Sequence, residues 1–214
     1  MCTVGAAPEP HPIEEIDVRG VADALDDGDR DTRWWYDPST GRVELGVGDW
    51  MVDEFGDDDE PQDRGLLPIE SHGSRASYDD MVTFASAVGD RRAADLLQRS
   101  LEGRGAFRRF RDTLHEFEGL VGPWRAFAQA RSEARAIDWL VDEGHADPGG
   151  AEAAKATRVA TASSVLEAVG HSAELRLEVT KLAGRWADIE RTVDAGHDVT
   201  LLRGGEGWAT IIPT

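Results

Sequence analysis

The chain has 214 residues, 23 of them basic and 42 acidic, for a formal net charge of −19. That length suits one domain or two small ones, and 40 % hydrophobic residues allow a packed core. There is no apolar run of about 18 residues and no basic-then-apolar leader, so a soluble cytoplasmic protein with no membrane partner is expected.

One cysteine, Cys2, excludes an internal disulfide and a Cys-rich zinc site. The charge is uneven: residues 1–70 carry −15, residues 71–145 carry −1 and residues 146–214 carry −3. The first third therefore repels nucleic acid and anionic membranes.

Residues 1–12, with three prolines and no periodicity, are expected to form a disordered arm. Ile13, Ile16, Val21 and Leu25 suit a short helix that Gly20 weakens. An acidic turn, Asp26 to Asp31, leads to a hairpin. Its strands are Thr32–Tyr36 and Arg42–Leu45, and its turn is Asp37-Pro38-Ser39-Thr40-Gly41. There Asp caps, Pro presets φ and Gly takes positive φ. Leu66–Ile69 reads as an edge strand, because Pro68 cannot donate to a ladder.

From Ser74 to about Gly144 the period is helical. One helix is expected with Ser77 as its cap, bearing Met81, Phe84, Ala85 and Val88. A second spans Arg91 to Leu101, and a third carries Phe107, Phe110, Leu114 and Phe117. A fourth starts at Gly122-Pro123 and buries Trp124, Phe127, Ile137 and Leu140. Asp147-Pro148-Gly149-Gly150 reads as a linker before an Ala-rich helix over 151–169.

The end of the chain reads as βαββ. Leu175–Val179 is a strand, and Thr180 caps a helix with Leu182, Trp186, Ile189 and Val193 on one face. Val199–Leu202 and Trp208–Ile212 are the closing strands. The fold class is α+β: an N-terminal β-hairpin plus helical bundle, followed by a small C-terminal βαββ unit. The expected segments are an arm 1–12, a domain 13–146, a linker and helix 147–170, and the βαββ unit 171–214.

Few residues carry recognisable chemistry. Arg104, Arg108, Arg109 and Arg111 form the sharpest cluster and could bind phosphate, RNA or an acidic partner. The plainer reading, a solvated face paired to the chain's own carboxylates, has the greater weight. Trp34 and Trp35 point to opposite faces of a strand, so one of them is either covered by another element or a partner-binding anchor.

The acidic run from Asp53 to Asp63 lacks EF-hand order and reads as a solvated loop or a mimic of nucleic acid. The six histidines show no metal-ligand spacing. No nucleophile elbow or phosphate-binding glycine loop occurs. No catalytic residue, metal or cofactor is expected.

Two resemblances go further. Val179-Thr180, Leu182, Ile189, Val193, Ala195-Gly196, Asp198-Val199, Leu202-Arg203, Gly204-Gly205 and Ala209 to Pro213 together resemble the prevent-host-death (Phd/YefM) antitoxin family. That resemblance covers about a fifth of the chain. It implies a βαββ homodimer that helps bind operator DNA, with Lys181, Arg185 and Arg203 as the DNA-facing candidates. It also implies a cognate toxin as partner.

The family's unit is usually N-terminal and precedes a toxin-binding tail, whereas this sequence stops at Thr214. The larger N-terminal domain is therefore the expected clamp, with Trp34, Trp35, Arg104, Arg108, Arg109 and Arg111 as partner-binding candidates.

Residues 13–144 resemble an uncharacterised bacterial protein family. The resemblance rests on Arg33-Trp34-Trp35-Tyr36-Asp37, Thr40-Gly41, Gly103-Arg104-Gly105-Ala106-Phe107-Arg108-Arg109-Phe110, Trp124 and Arg135 to Leu140. The expectation is a non-catalytic, antitoxin-like protein that buries a toxin's active surface and represses its own operon. The alternatives are an enzyme acting on a phosphorylated or nucleotide substrate, and a plain DNA-binding regulator.

Overall fold

The computed structural model describes residues 10–29, 31–47, 64–170, 175–182, 184–195, 197, 199–204 and 206–211. Outside them lie residues 1–9 of the expected arm, the acidic run Asp53–Asp63, Gly196, Gly205 and the closing Ile212-Pro213. The fold is α+β. It forms two compact units, Met1–Ser77 with Ala128–Ala162 and Tyr78–Phe127 with Ser163–Thr214. These units interleave along the chain.

In the first unit a 3-10 turn, Ile13–Glu15, precedes helix α1 (Val18–Asp26). The helix starts later than expected because the Asp17 carboxylate caps it, accepting from the Gly20 amide at 2.9 Å. Gly20 does not weaken that start; a Cβ there would fall on the capping carboxylate.

Strands β1 (Thr32–Asp37) and β2 (Arg42–Val47) form the hairpin, paired from Thr32↔Val47 to Asp37↔Arg42. Asp37 organises its turn, accepting from Ser39 N at 2.8 Å, Ser39 Oγ at 2.7 Å and Thr40 Oγ1 at 2.8 Å. Gly41 closes the turn at φ 70°. A Cβ on Gly41 would lie 3.2 Å from the Glu15 carbonyl oxygen. Strand β3 (Leu67–Ile69) adds to the other side of β1, giving the order β2-β1-β3 with Pro68 on an edge.

Helices α5 (Glu118–Asp142) and α6 (Pro148–Gly170) enter this unit from residue 128 and as far as residue 162. Arg158 bonds Glu133 at 3.1 Å and Lys155 bonds Asp138 at 2.6 Å, so the two helices run antiparallel there. Asp147-Pro148-Gly149-Gly150 is a helix start rather than a linker. Pro148 takes the first position, where no amide is needed, and Asp147 accepts from Gly150 N at 2.9 Å.

His11 is fixed beside that start. Its amide donates to His145 O at 2.9 Å, and its carbonyl accepts from Asp147 N at 3.0 Å. The core gathers Val21, Leu25, Tyr36, Ile69, Ile137 and Leu140.

The second unit begins within helix α2 (Arg75–Ala87), so Ser77 lies inside the helix and does not cap it. Helix α3 (Arg91–Ser100) is capped by Asp90, which accepts from Ala93 N at 2.9 Å. Helix α4 (Ala106–His115) follows after five residues. Trp124 anchors the packing, with its ring centroid 5.3 Å from Phe84 and 4.9 Å from Phe110, both edge-on. The expected fourth helix starts earlier, at Glu118, with Pro123 as its sixth residue, where its ring forgoes one helical hydrogen bond.

The C-terminal part is βαββ. Strand β4 (Leu175–Glu178) is parallel to β5 (Val199–Arg203), and β5 is antiparallel to β6 (Glu206–Ile211). Val179–Lys181 forms a 3-10 turn, and helix α7 (Trp186–Asp194) begins five residues later than a cap at Thr180 suggested. Ile189, Val199 and Leu201 make a small core with Val193, Ala209 and Ile211. Among the described residues no helix is long and apolar enough to cross a membrane.

Two stability predictions follow from the hairpin. Gly41→Ala is expected to cost about 1–2 kcal/mol, read by urea denaturation, since an alanine is strained at positive φ. Acidification is expected to destabilise the fold in two stages. Burial lowers the pKa of His145 below its ordinary 6.5, helped by His11 and opposed by Glu143. Its contribution is therefore present above 6.5 and lost as pH falls through the folded value. Burial alone would raise the Asp37 carboxyl, but the bonds from Ser39 and Thr40 outweigh it and hold the group below 3.8. Its contribution is present above 3.8 and lost as pH falls further. In melting temperature against pH, Asp37→Ala should shrink the lower stage, to which Asp27 and Asp188 also contribute, and leave the upper one.

Candidate functional site

The α3–α4 corner holds the arginine cluster, and its backbone explains the motif. Gly103 and Gly105 sit at φ 72° and 79°, a left-handed conformation that costs a glycine little. The turn leaves the carbonyls at the end of α3 without helical partners. Arg109 supplies them from the next helix. Its Nε donates to Ser100 O at 3.1 Å, and its two terminal nitrogens donate to the carbonyls of Glu102 and Arg104. One guanidinium thus binds three carbonyls of a single turn, which matches the fork geometry of arginine.

Arg109 is therefore a turn clamp and not a free partner-binding residue. The other three arginines remain exposed. Arg108 meets Asp112 at 3.6 Å, an open i,i+4 pair worth a few tenths of a kcal/mol, roughly. Among the described residues Arg104 and Arg111 have no ion-pair partner. Phe107 was expected to mark the same buried stripe as Phe110 and Leu114, but it is 43 % exposed while Phe110 is 1 %.

The strand register brings the three DNA-facing candidates to one end of the βαββ unit. Glu178 pairs with Leu202, so Lys181, just past β4, lies at the same end as Arg203 on β5. Arg185 precedes α7 at that end too, because α7 must run back along the parallel strands. Carboxylates accompany these cations. Arg185 bonds Asp188, which also accepts from Arg191 at 3.2 Å, and Arg203 faces Glu206 across the hairpin. The Arg185 bond, with the charge of Arg185 and then of Arg191, holds the Asp188 carboxyl below its ordinary value.

The same end carries Trp186, 59 % exposed, and Trp208, 60 % exposed. Trp186 was expected in the buried stripe. Because α7 starts at Trp186, the ring stands at the helix end, with its Nε1 donating to Glu190 at 2.9 Å. Trp208 is the extra residue of an irregularity in the ladder, since Leu202 pairs with Gly207 and Leu201 with Ala209, and its ring stands outward.

Trp34 and Trp35 are both spoken for in the first unit. Trp34 is half-buried, and its indole donates to Asp27 at 2.7 Å. Trp35 faces the other way yet is only 6 % exposed. Beside them opens a groove of about 440 Å3 walled by Asp27, Asp29, Arg33 and Glu70. The Asp29 amide and the Trp34 indole hold the Asp27 carboxyl below its ordinary value against a small burial effect. Among the described residues no group of three or more His, Cys, Asp or Glu side chains is placed to hold a metal.

The uncharacterised protein family UPF0158 matches residues 15–148, well over half of the chain, and the chain belongs to it. This range contains the hairpin, the α3–α4 corner and α5. No curated protein and no solved structure matched the chain.

The corner sorts its arginines by a stability measurement. Arg109→Ala is expected to cost about 1–2 kcal/mol, since it removes three hydrogen bonds from one turn, two of them open to water. Arg104→Ala, Arg108→Ala and Arg111→Ala are each expected within about 0.5 kcal/mol of the parent in chemical denaturation.

Proposed function

We propose that the protein is a non-catalytic, antitoxin-like member of its family that acts by covering a partner protein's surface. The observation that carries this reading is the βαββ unit with Trp186 and Trp208 both well exposed at one end. Two large aromatic faces on so small a unit favour an interface, and their polar N–H groups suit a rim that is half wet. The topology agrees with the resemblance of these residues to the Phd/YefM antitoxins, and a second copy of the chain is the natural occupant of that end.

The charge distribution supports the choice of target. The −15 carried by residues 1–70 accelerates association with a basic partner, such as a toxin whose cleft binds RNA or nucleotide. Operator binding through Lys181, Arg185 and Arg203 is the weaker arm, since Asp188 and Glu206 sit beside two of the three cations.

The test has two readouts. Light scattering should give twice 23.3 kDa for the parent chain and the single mass for a Trp186→Ser/Trp208→Ser variant with unchanged helicity. Co-expression should relieve growth arrest caused by a small neighbouring gene product, and the two should co-elute. A parent chain that stays monomeric at the highest concentration reached, with no effect on any neighbouring gene product, overturns the reading.

A further inference from the structure

Residues 91–115 hold seven arginines against three carboxylates, a local +4 in a chain of net −19. Arg109 is consumed by the turn, but Arg104, Arg108 and Arg111 are not. Phe107, Arg111 and His115 follow one another at i, i+4 and i+8 along α4, with Arg108 alongside, and all four are exposed. Arg104 sits in the clamped turn immediately before the helix. Within α4 itself the carboxylate is Asp112, held by the exposed pair with Arg108, and the exposed Glu102 and Glu116 flank the helix.

The face therefore combines arginines, which track phosphate, with a phenyl ring that is 43 % exposed. An acidic protein segment would satisfy the arginines through its carboxylates, but would cover Phe107 only if it also placed an apolar side chain in register with the ring. A nucleic-acid duplex would satisfy the arginines too, yet keep its bases inside the stack. A single strand uses both, its phosphates on the guanidinium groups and an unstacked base on the ring.

From this we infer that the exposed face of α4, formed by Arg104, Phe107, Arg108 and Arg111, binds single-stranded nucleic acid. The inference does not rest on the pairing of the C-terminal unit. It concerns a different element, and the test below reads out whether or not the chain dimerises.

The experiment is fluorescence anisotropy with the full chain and labelled oligouridylate or oligodeoxythymidylate at low ionic strength, with a duplex of equal length and poly-glutamate as competitors. Single strands should bind, and the duplex should bind roughly tenfold more weakly. Tighter binding of oligouridylate than of oligodeoxythymidylate identifies RNA as the ligand, through its 2′-hydroxyls, and the reverse identifies DNA.

Phe107→Ala should weaken binding about tenfold. Arg108→Glu with Arg111→Glu should abolish it, and single Arg→Ala changes should flatten its salt dependence. Arg42→Glu, an exposed charge reversal on β2, should change affinity by less than about twofold. All these side chains are exposed, and unchanged far-ultraviolet circular dichroism checks that each variant folds.

The inference is overturned if the parent chain binds no single strand, if the duplex binds as well, or if Phe107→Ala binds like the parent. Displacement by poly-glutamate with no effect of Phe107→Ala would assign the face to an acidic protein instead.

Discussion

The first unit depends on the burial of the Tyr36 ring. Tyr36 is fully buried, edge-on to Trp139 at 6.0 Å and 4.8 Å from His145. That one ring joins the hairpin to the end of α5 and to the segment that bonds His11. Its hydroxyl has no hydrogen-bond partner among the described residues, and burial, with the nearby Asp37 charge, pushes its pKa up to about 12. Stranding a hydroxyl costs about 1–3 kcal/mol. Burying the ring returns about 1.5–3 kcal/mol and each aromatic contact about 0.5–1.5 kcal/mol more, so packing wins. The position is held by shape and not by the polar atom that distinguishes tyrosine from phenylalanine.

The arginine-rich motif divides its labour in a similar way. From the letters alone, four arginines near a Gly-x-Gly pair look like a binding cluster. In the fold the two glycines make a left-handed turn, and the arginine deepest in the cluster secures the carbonyls of that turn. Only then do the remaining three acquire a fixed relation to Phe107. Architecture and candidate recognition share one stretch of chain, and the motif lies inside the part that defines family membership.

Local chemistry was legible in the sequence. The hairpin turn, the edge strand with Pro68 and the span of α3 each follow from interactions within a few residues, such as the Asp37 bonds or the Asp90 cap. What failed depended on distant partners or on competing local signals. Asp147-Pro148-Gly149-Gly150 has the composition of a linker, yet Pro and a capping Asp also open helices, and the first turn of α6 packs Ala151 into the core. Trp186 fits the helical period with Ile189 and Val193, but the 3-10 turn before it moves the helix start and leaves the ring outside. The clamp by Arg109 had no signal at all, because a guanidinium that reaches back to carbonyls five, seven and nine residues earlier leaves no periodic trace.

The interleaved units bear on how this chain tolerates being cut. Each unit is woven from two stretches of backbone, and α5 and α6 each run from one into the other. The stretch matched by the family ends at residue 148, before Ala151 and Ala154 have reached the core they help to fill. A fragment truncated there would lose one wall of the first unit along with the ion pairs from Lys155 and Arg158. Proteolytic nicking between the units should accordingly leave two pieces that stay associated, in place of two separable domains.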